Sequence, residues 1–237
     1  LNADPIAFDF SALFDQDSWS VAVKDLVAQG RAWKVSGNAT MKLDDLALDA
    51  SVEADLGSAA QLAEGLTFET GHIKARLNGN VSAPKLDITG RFAAPRVMGY
   101  SAQTMTLDGH VAVAVGIPPA GDKAVFNLRA RVDNPLSGNQ TLDVLLVPGI
   151  QITTSGTVQT QTGYIVFDDV AFDGADFSVH GEGWLDTKKD RVQLTAEGVI
   201  PDLTRMARVV NVGLEGRATL HADGQADADR PDRSEEH

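Results

Sequence analysis

The sequence predicts a mainly β chain, an elongated repetitive antiparallel sheet with one or two short helices. Three observations carry that prediction. Apolar residues alternate with period two over most of the chain, as in strands that present one apolar face. Turn formers punctuate the runs at Asn78-Gly79, Asp108-Gly109, Ser137-Gly138-Asn139 and Asp173-Gly174. The stretch MKLDDLALDA (Met41–Ala50) returns as IVFDDVAFDG (Ile165–Gly174), each with an Asp-Asp pair inside apolar alternation, and such an echo points to a repeated unit.

In the first copy the apolar set is Met41, Leu43, then Leu46, Leu48, so odd positions give way to even across Asp44-Asp45. In the second, Ile165 and Phe167 give way to Val170 and Phe172 across Asp168-Asp169. A one-residue slip sends every later side chain to the wrong face unless the chain turns or bulges there. Each pair is therefore expected at a turn or bulge between consecutive strands. Calcium is the rival use, but neither copy has the Asp-x-Asp-x-Asp-Gly spacing of a calcium loop.

Next, GSAAQLAEG (57–65) is Ala-rich around Leu62 and reads as a short helix. Alternation resumes at Ile73, Ala75 and Leu77, then at Leu86, Ile88, Gly90 and Phe92. It continues through Met105, Leu107, Gly109, Val111, Val113 and Val115, then Phe126, Leu128, Ala130 and Val132. Leu142, Val144 and Leu146 suggest one more strand, and Val192, Leu194 and Ala196 another. PDLTRMARVV (201–210) reads as a second short helix with Pro at its first turn, before a last run at Leu214, Gly216, Ala218 and Leu220.

The unit thus reads strand, Asp-Asp, strand, short helix, Gly-initiated strand, with copies around 35–80 and 155–224. The second copy holds an extra hairpin, GADFSVHGEGWLDTKKDRVQLTAEG, an insertion that a stacked array tolerates. Residues 1–224 form the β-rich body. The charged tail 225–237, QADADRPDRSEEH, lacks apolar periodicity and is expected to be a disordered tail or linker.

Composition narrows the function. Formal net charge is −13 over 237 residues, so the chain repels nucleic-acid phosphate, and no nucleic-acid partner is expected. Hydrophobic residues make up 43 % and aromatics 6 %, so the apolar faces are aliphatic with few aromatic anchors. The absence of cysteine excludes a disulfide scaffold and thiolate metal sites and suits the periplasm. LNADPIAFDF is not a signal peptide, and no window is apolar enough to span a bilayer. Any anchor is expected outside this sequence, which reads as an internal fragment.

Catalytic constellations do not assemble. His72, His110, His180, His221 and His237 never fall at helical i, i+4 spacing, and no nucleophile elbow or phosphate loop is present. His180 is expected to face water, and His110 to share a surface with Asp108. Trp19, Trp33 and Trp184 are isolated and read as strand-face packing. No enzyme activity, cofactor or metal is expected. An extracellular carbohydrate-active enzyme on a β-helix or β-sandwich could use paired carboxylates, but a catalytic pair is needed once and Asp-Asp is written twice. A passive adhesin or spacer repeat is the other alternative.

Several segments together resemble the TamB family within the AsmA-like group of periplasmic proteins. They are Asp202–Ala207 (DLTRMA) before GLEGRATLHADG, its sister Ser58–Ala63 (SAAQLA) before the first Gly-strand, and GHIKARLNGNVSAPKLDITGRF with its Ala83-Pro84 joint. The resemblance covers most of residues 20–224. It implies a sheet curled into a U-shaped, β-taco groove with an aliphatic interior, in a protein anchored in the inner membrane of a Gram-negative bacterium. The implied work is phospholipid transport between inner and outer membranes and support of outer-membrane protein assembly beside TamA, a BamA-family barrel. The anchor and the barrel-contacting domain have no counterpart in this sequence, so no residue here takes those roles.

The residues are compatible with such a groove. An acyl chain needs continuous apolar surface, and exposing sixteen carbons to water costs on the order of 12 kcal/mol. The expected lining is Leu43, Leu46, Leu48, Ile73, Leu77, Leu86, Ile88, Leu107, Val111, Val113, Leu128, Leu142, Val144, Phe177, Val179, Leu194, Leu214 and Leu220. The same alternation is equally expected of a closed β-sandwich with a filled core, and sequence leaves open which parity faces inward.

Overall fold

The computed structural model describes residues 6–58, 65–97, 99–114, 122–139, 142–143, 146–159, 161–204, 207, 213 and 215–227. The chain zigzags through one antiparallel sheet. It begins with β1 (Ala7–Asp15), β2 (Ser20–Gln29), β3 (Trp33–Lys42) and β4 (Ala47–Gly57). After the two-residue β5 (Leu66–Thr67) come β6 (Thr70–Asn80) and β7 (Ala83–Ala93). The short β8 (Arg96–Val97) and β9 (Tyr100–Ser101) precede β10 (Thr104–Ala114), β11 (Lys123–Asp133) and β12 (Gly149–Gln159). The sheet ends with β13 (Tyr164–Asp173), β14 (Ser178–Asp186), β15 (Arg191–Ile200) and β16 (Ala218–Asp227).

Thirteen of these strands form the main sheet in the order β1-β2-β3-β4-β6-β7-β10-β11-β12-β13-β14-β15-β16, and the three short ones form a separate sheet, β5-β8-β9. Each long strand pairs with its neighbours in the chain, and β1 and β16 stand at opposite ends, so the sheet is open rather than a barrel. At about 4.8 Å between strands it spans roughly 58 Å across its neighbours.

A closed sandwich would bury Leu, Ile and Val between two layers. Among the described residues not one of these is buried; the buried apolar set is Phe68, Phe92, Ala124, Phe126, Ala171 and Ala207. Substantial packing between main-sheet strands joins hydrogen-bonded neighbours alone. Among the described residues only the three short strands at one rim lie over the main sheet, so the packed-core reading does not hold for them.

The two Asp-Asp stretches are built differently. Asp44-Asp45 lies in the turn between β3 and β4, where Asp44 Oδ1 accepts from the Asp45 N–H at 2.8 Å and Asp45 Oδ1 from the Ala47 N–H at 3.0 Å. Asp168-Asp169 is a bulge inside a single strand, not a joint between two: Phe167 pairs with Gly183 and Val170 with Gly181, so two aspartates face Glu182. Both devices flip the sequence parity while keeping apolar side chains on one face. β2 holds a third case that the alternation did not reveal, Lys24-Asp25 between Val23 and Leu26, with Asp25 at φ 54°.

Other expectations need correction. Leu142 and Leu146 do not form a strand: the Asp143 N–H donates to Asn139 O and the Val147 N–H to Asp143 O, which makes a helical turn. The reason is local, since Asp143 Oδ1 accepts from both the backbone N–H and the hydroxyl of Ser137, which closes the segment on itself. The first expected helix falls mostly on residues 59–64, outside the described residues. In the second, Thr204 and Ala207 are helical, the Ala207 N–H donates to Leu203 O at 2.8 Å, and Asp202 Oδ1 caps the Thr204 N–H at 2.8 Å. The body also runs past its expected end: β16 reaches Asp227, where Gln225 pairs with Gln193.

The two rims of the sheet differ. Along one rim the strands are joined by segments 16–19, 43–46, 81–82, 115–122, 160–163 and 187–190. Neighbouring turns there are stitched together: the Leu43 N–H donates to Trp19 O, Val81 N–H to Leu46 O and Thr187 N–H to Gly163 O. The other rim carries 30–32 and 174–177, and also the long connections 58–69, 94–103, 134–148 and 201–217. On this second rim the small sheet seats Phe68 against Phe92, ring centroids 5.4 Å apart, both about 4 % exposed.

Candidate functional site

The register fixes which side chains share a face, because directly paired residues point the same way. One row can be followed from strand to strand: Ala39, Ala50, Leu77, Leu86, Val111, Phe126, Gly156, Phe167, Gly183, Leu194 and Gly224. The adjacent row on the same face runs Gly37, Val52, Ala75, Ile88, Gly109, Leu128, Thr154, Val170, Gly181, Ala196 and Ala222. Thr154 is the single polar side chain in these two rows, and its Oγ1 is buried with no hydrogen-bond partner.

The second of these rows is rich in Gly and Ala, so the middle of the face is shallow. The first carries a ridge where Phe126 meets Phe167 edge-on at 6.0 Å over Gly156. Towards the two ends the face opens to solvent: Phe8 is 62 % and Phe14 58 % exposed at β1, and Leu220 is 69 % exposed at β16.

The opposite face is polar and held by cross-strand ion pairs. Lys74 Nζ meets Glu53 at 2.9 Å, Arg76 meets Asp49 at 3.1 Å, His72 Nδ1 meets Asp55 at 2.7 Å and His110 Nδ1 meets Asp87 at 2.6 Å. These groups are well exposed, so each pair contributes little to stability. They do make the two faces chemically opposite. Asp133 closes one end of this face: hydrogen bonds from Arg131 Nε at 2.9 Å and Thr104 Oγ1 at 2.8 Å hold its carboxyl below the usual range.

Of the side chains expected to line a groove, Leu48, Ile73, Leu77, Leu86, Ile88, Leu107, Val111, Val113, Leu128, Val179, Leu194 and Leu220 all lie on the one apolar face. Leu43 and Leu46 stand in the turn between β3 and β4, 38 % and 45 % exposed. Phe177 stands in the connection before β14, its ring against Gly174, and Leu142 stands in the helical turn before β12. Val144 and Leu214 lie outside the described residues. Residues that the alternation did not single out complete the face: Val21, Val23 and Leu26 of β2, Val35 of β3, and Ile150, Ile152 and Val158 of β12. The Lys24-Asp25 shift hid the first group; its frame, apolar-x-apolar, two charges, apolar-x-apolar, is the signal that finds it.

His180 and His110 lie on the polar face as expected, and His110 shares that face with Asp108. Trp19 differs from its expected place: it stands in the turn after β1 with φ 44°, edge-on to Phe14. Among the described residues no cluster of three His or acidic side chains is placed to hold a metal. None of the helices among them is long and apolar enough to cross a membrane. No family model, curated protein or solved structure matches this chain.

Proposed function

We propose that this chain is a segment of a TamB-like periplasmic bridge that shields lipid acyl chains along its apolar face. In this reading the sheet curls into a U-shaped groove and supports phospholipid transport between inner and outer membranes and outer-membrane protein assembly. The parent protein is anchored in the inner membrane, and a TamA-like barrel is met through regions outside this sequence. Catalysis has no part in it.

The observation that carries the proposal is one apolar face, continuous through every long strand and, among the described residues, covered only at one rim, where Phe68 sits on Phe92. At about 0.8 kcal/mol per methylene, such a surface offsets the cost of an acyl chain leaving a membrane. Its aliphatic side chains and shallow glycine row offer no deep trap, so a chain can slide along it.

The test is photo-crosslinking in the native envelope. A crosslinker at Leu107, Val111 or Val113 is expected to capture lipid, and one at His110 or Ala112, on the opposite face, is not. Equal capture from both faces, or none from either, sinks the proposal.

A further inference from the structure

A depression of about 580 Å³ lies on the polar face, where β3, β4, β6 and β7 reach the rim with the long connections. Its floor is made of small residues. Gly57, Thr70 and Ala93 are paired in one row, and the Gly57 N–H donates to Ala32 O at 2.7 Å. The next polar-face row inward holds Lys34, Asp55, His72 and Arg91, and Arg31 stands on the turn beside them.

The charges there do not balance. Asp55 is the one carboxylate lining the depression, and it is engaged by His72 Nδ1 at 2.7 Å. Among the described residues no ion pair engages Arg31, Lys34 or Arg91. Arg91 does act at a distance on Asp133, but the oxygens of Asp133 accept from Arg131 and Thr104. Elsewhere on this face the basic residues of β6 meet acids on β4. Three cations bordering one small-residue floor, with Lys34 and Arg91 at the two ends of their row about 14 Å apart by strand spacing, are a local exception in a chain of net charge −13.

We propose that this depression binds a phosphate group. Two guanidinium forks and an ammonium match a tetrahedral anion with several acceptor oxygens, and the Gly, Ala and Thr floor leaves room for it. Because the cations are exposed, binding is weak and falls as salt rises. The strands that form the depression carry Trp33 and Leu56 on their other face, at the same rim. A phospholipid headgroup and soluble phosphate are the two sources of this chemistry; the headgroup source rests on the acyl-chain reading above, and the anion site itself does not.

The experiment is a titration of isotope-labelled protein at low salt, following the amide shifts of Gly30, Ala32, Gly57 and Thr70. One arm uses inorganic phosphate and the other uses dihexanoyl phosphatidylglycerol below its micelle concentration. Saturating shifts are expected in at least one arm. They are expected to weaken by roughly tenfold or more in the Arg31→Gln/Arg91→Gln variant and to be retained in Lys74→Gln. Shifts with lipid that extend to Ala54 and Ile73 assign the headgroup. Pocket shifts without any on the apolar face keep the anion site and count against the tails. Absence of saturation in both arms, or shifts that survive the double variant with its circular dichroism unchanged, overturns the site. If the double variant loses its fold, Lys34→Gln carries the same comparison.

Discussion

Phe126 lies directly across from Gly156, and its ring occupies the space that a side chain there would need. A Cβ built on Gly156 meets Phe126 Cζ at 2.8 Å, and it runs into the carbonyl oxygen of Val166 as well. The backbone cannot swing aside as a flexible side-chain end can. Gly156→Val is therefore expected to destabilise the sheet by about 2–3 kcal/mol, read as a melting temperature lower by roughly 4–12 °C for a chain of this size. A Gly224→Val change, with open space around the Cβ, is expected to move it far less.

The bulge at Asp168-Asp169 makes a deletion experiment decisive. Removing Asp169 restores plain alternation, so Val170 and Phe172 stay on the apolar face and Asp168 faces Glu182 alone. The variant is expected to fold, with a loss of no more than about 1–2 kcal/mol. Deleting Thr195 from β15, which has no bulge, throws the residues on one side of the gap onto the wrong face. That variant is expected to lose its cooperative transition. Equal damage from the two deletions, followed by thermal unfolding, would contradict this account of the bulge.

A charge placed on the apolar face separates an open sheet from a covered one. Val111 is half-buried by its neighbours in the sheet and by nothing else among the described residues. Val111→Asp is expected to cost about 1–3 kcal/mol and leave strand content by circular dichroism intact, while acyl capture at Val113, the adjacent position on the same face, is lost. Complete unfolding of Val111→Asp would mean that a covering layer exists.

Asp133 sets a pH dependence whose sign is fixed. Its folded-state pKa is lowered, first by the hydrogen bond from Arg131 and then by that from Thr104. The stabilisation is present above the unfolded value near 3.9 and is lost as pH falls through the folded value. The melting temperature of the wild-type protein is expected to drop more steeply below about pH 4 than that of Asp133→Asn. Parallel acid limbs for the two proteins would rule this contribution out.

The central strands were the legible part of this molecule. From Ile73 to Leu128 the apolar parity of each strand lies on the one face, because β6, β7, β10 and β11 pair without a bulge; Asn78-Gly79 and Asp108-Gly109, spelled like turns, lie inside β6 and β10. Legibility failed where local hydrogen bonds override alternation. Leu142 and Leu146 keep perfect period two, yet Asn139 and Asp143 draw their segment into a helical turn. Asp44-Asp45 and Asp168-Asp169 share a spelling because a turn and a bulge impose the same parity change, and period two cannot tell them apart. The basic depression was invisible in sequence, since strand pairing sets Lys34 and Arg91 at the two ends of one row and Arg31 stands on the turn beside it.

The unequal borders of the sheet determine where the polypeptide can change length. On the stitched side Trp19 is hydrogen-bonded to Leu43, Leu46 to Val81 and Gly163 to Thr187, so an added residue at one of these bends disturbs its companion. The opposite side holds the long excursions, which end and restart on neighbouring strands. A reporter domain spliced into 134–148 is thus expected to leave the main-sheet strands in register as long as the Ser101–Leu136 bridge is kept, and natural divergence should gather along that border.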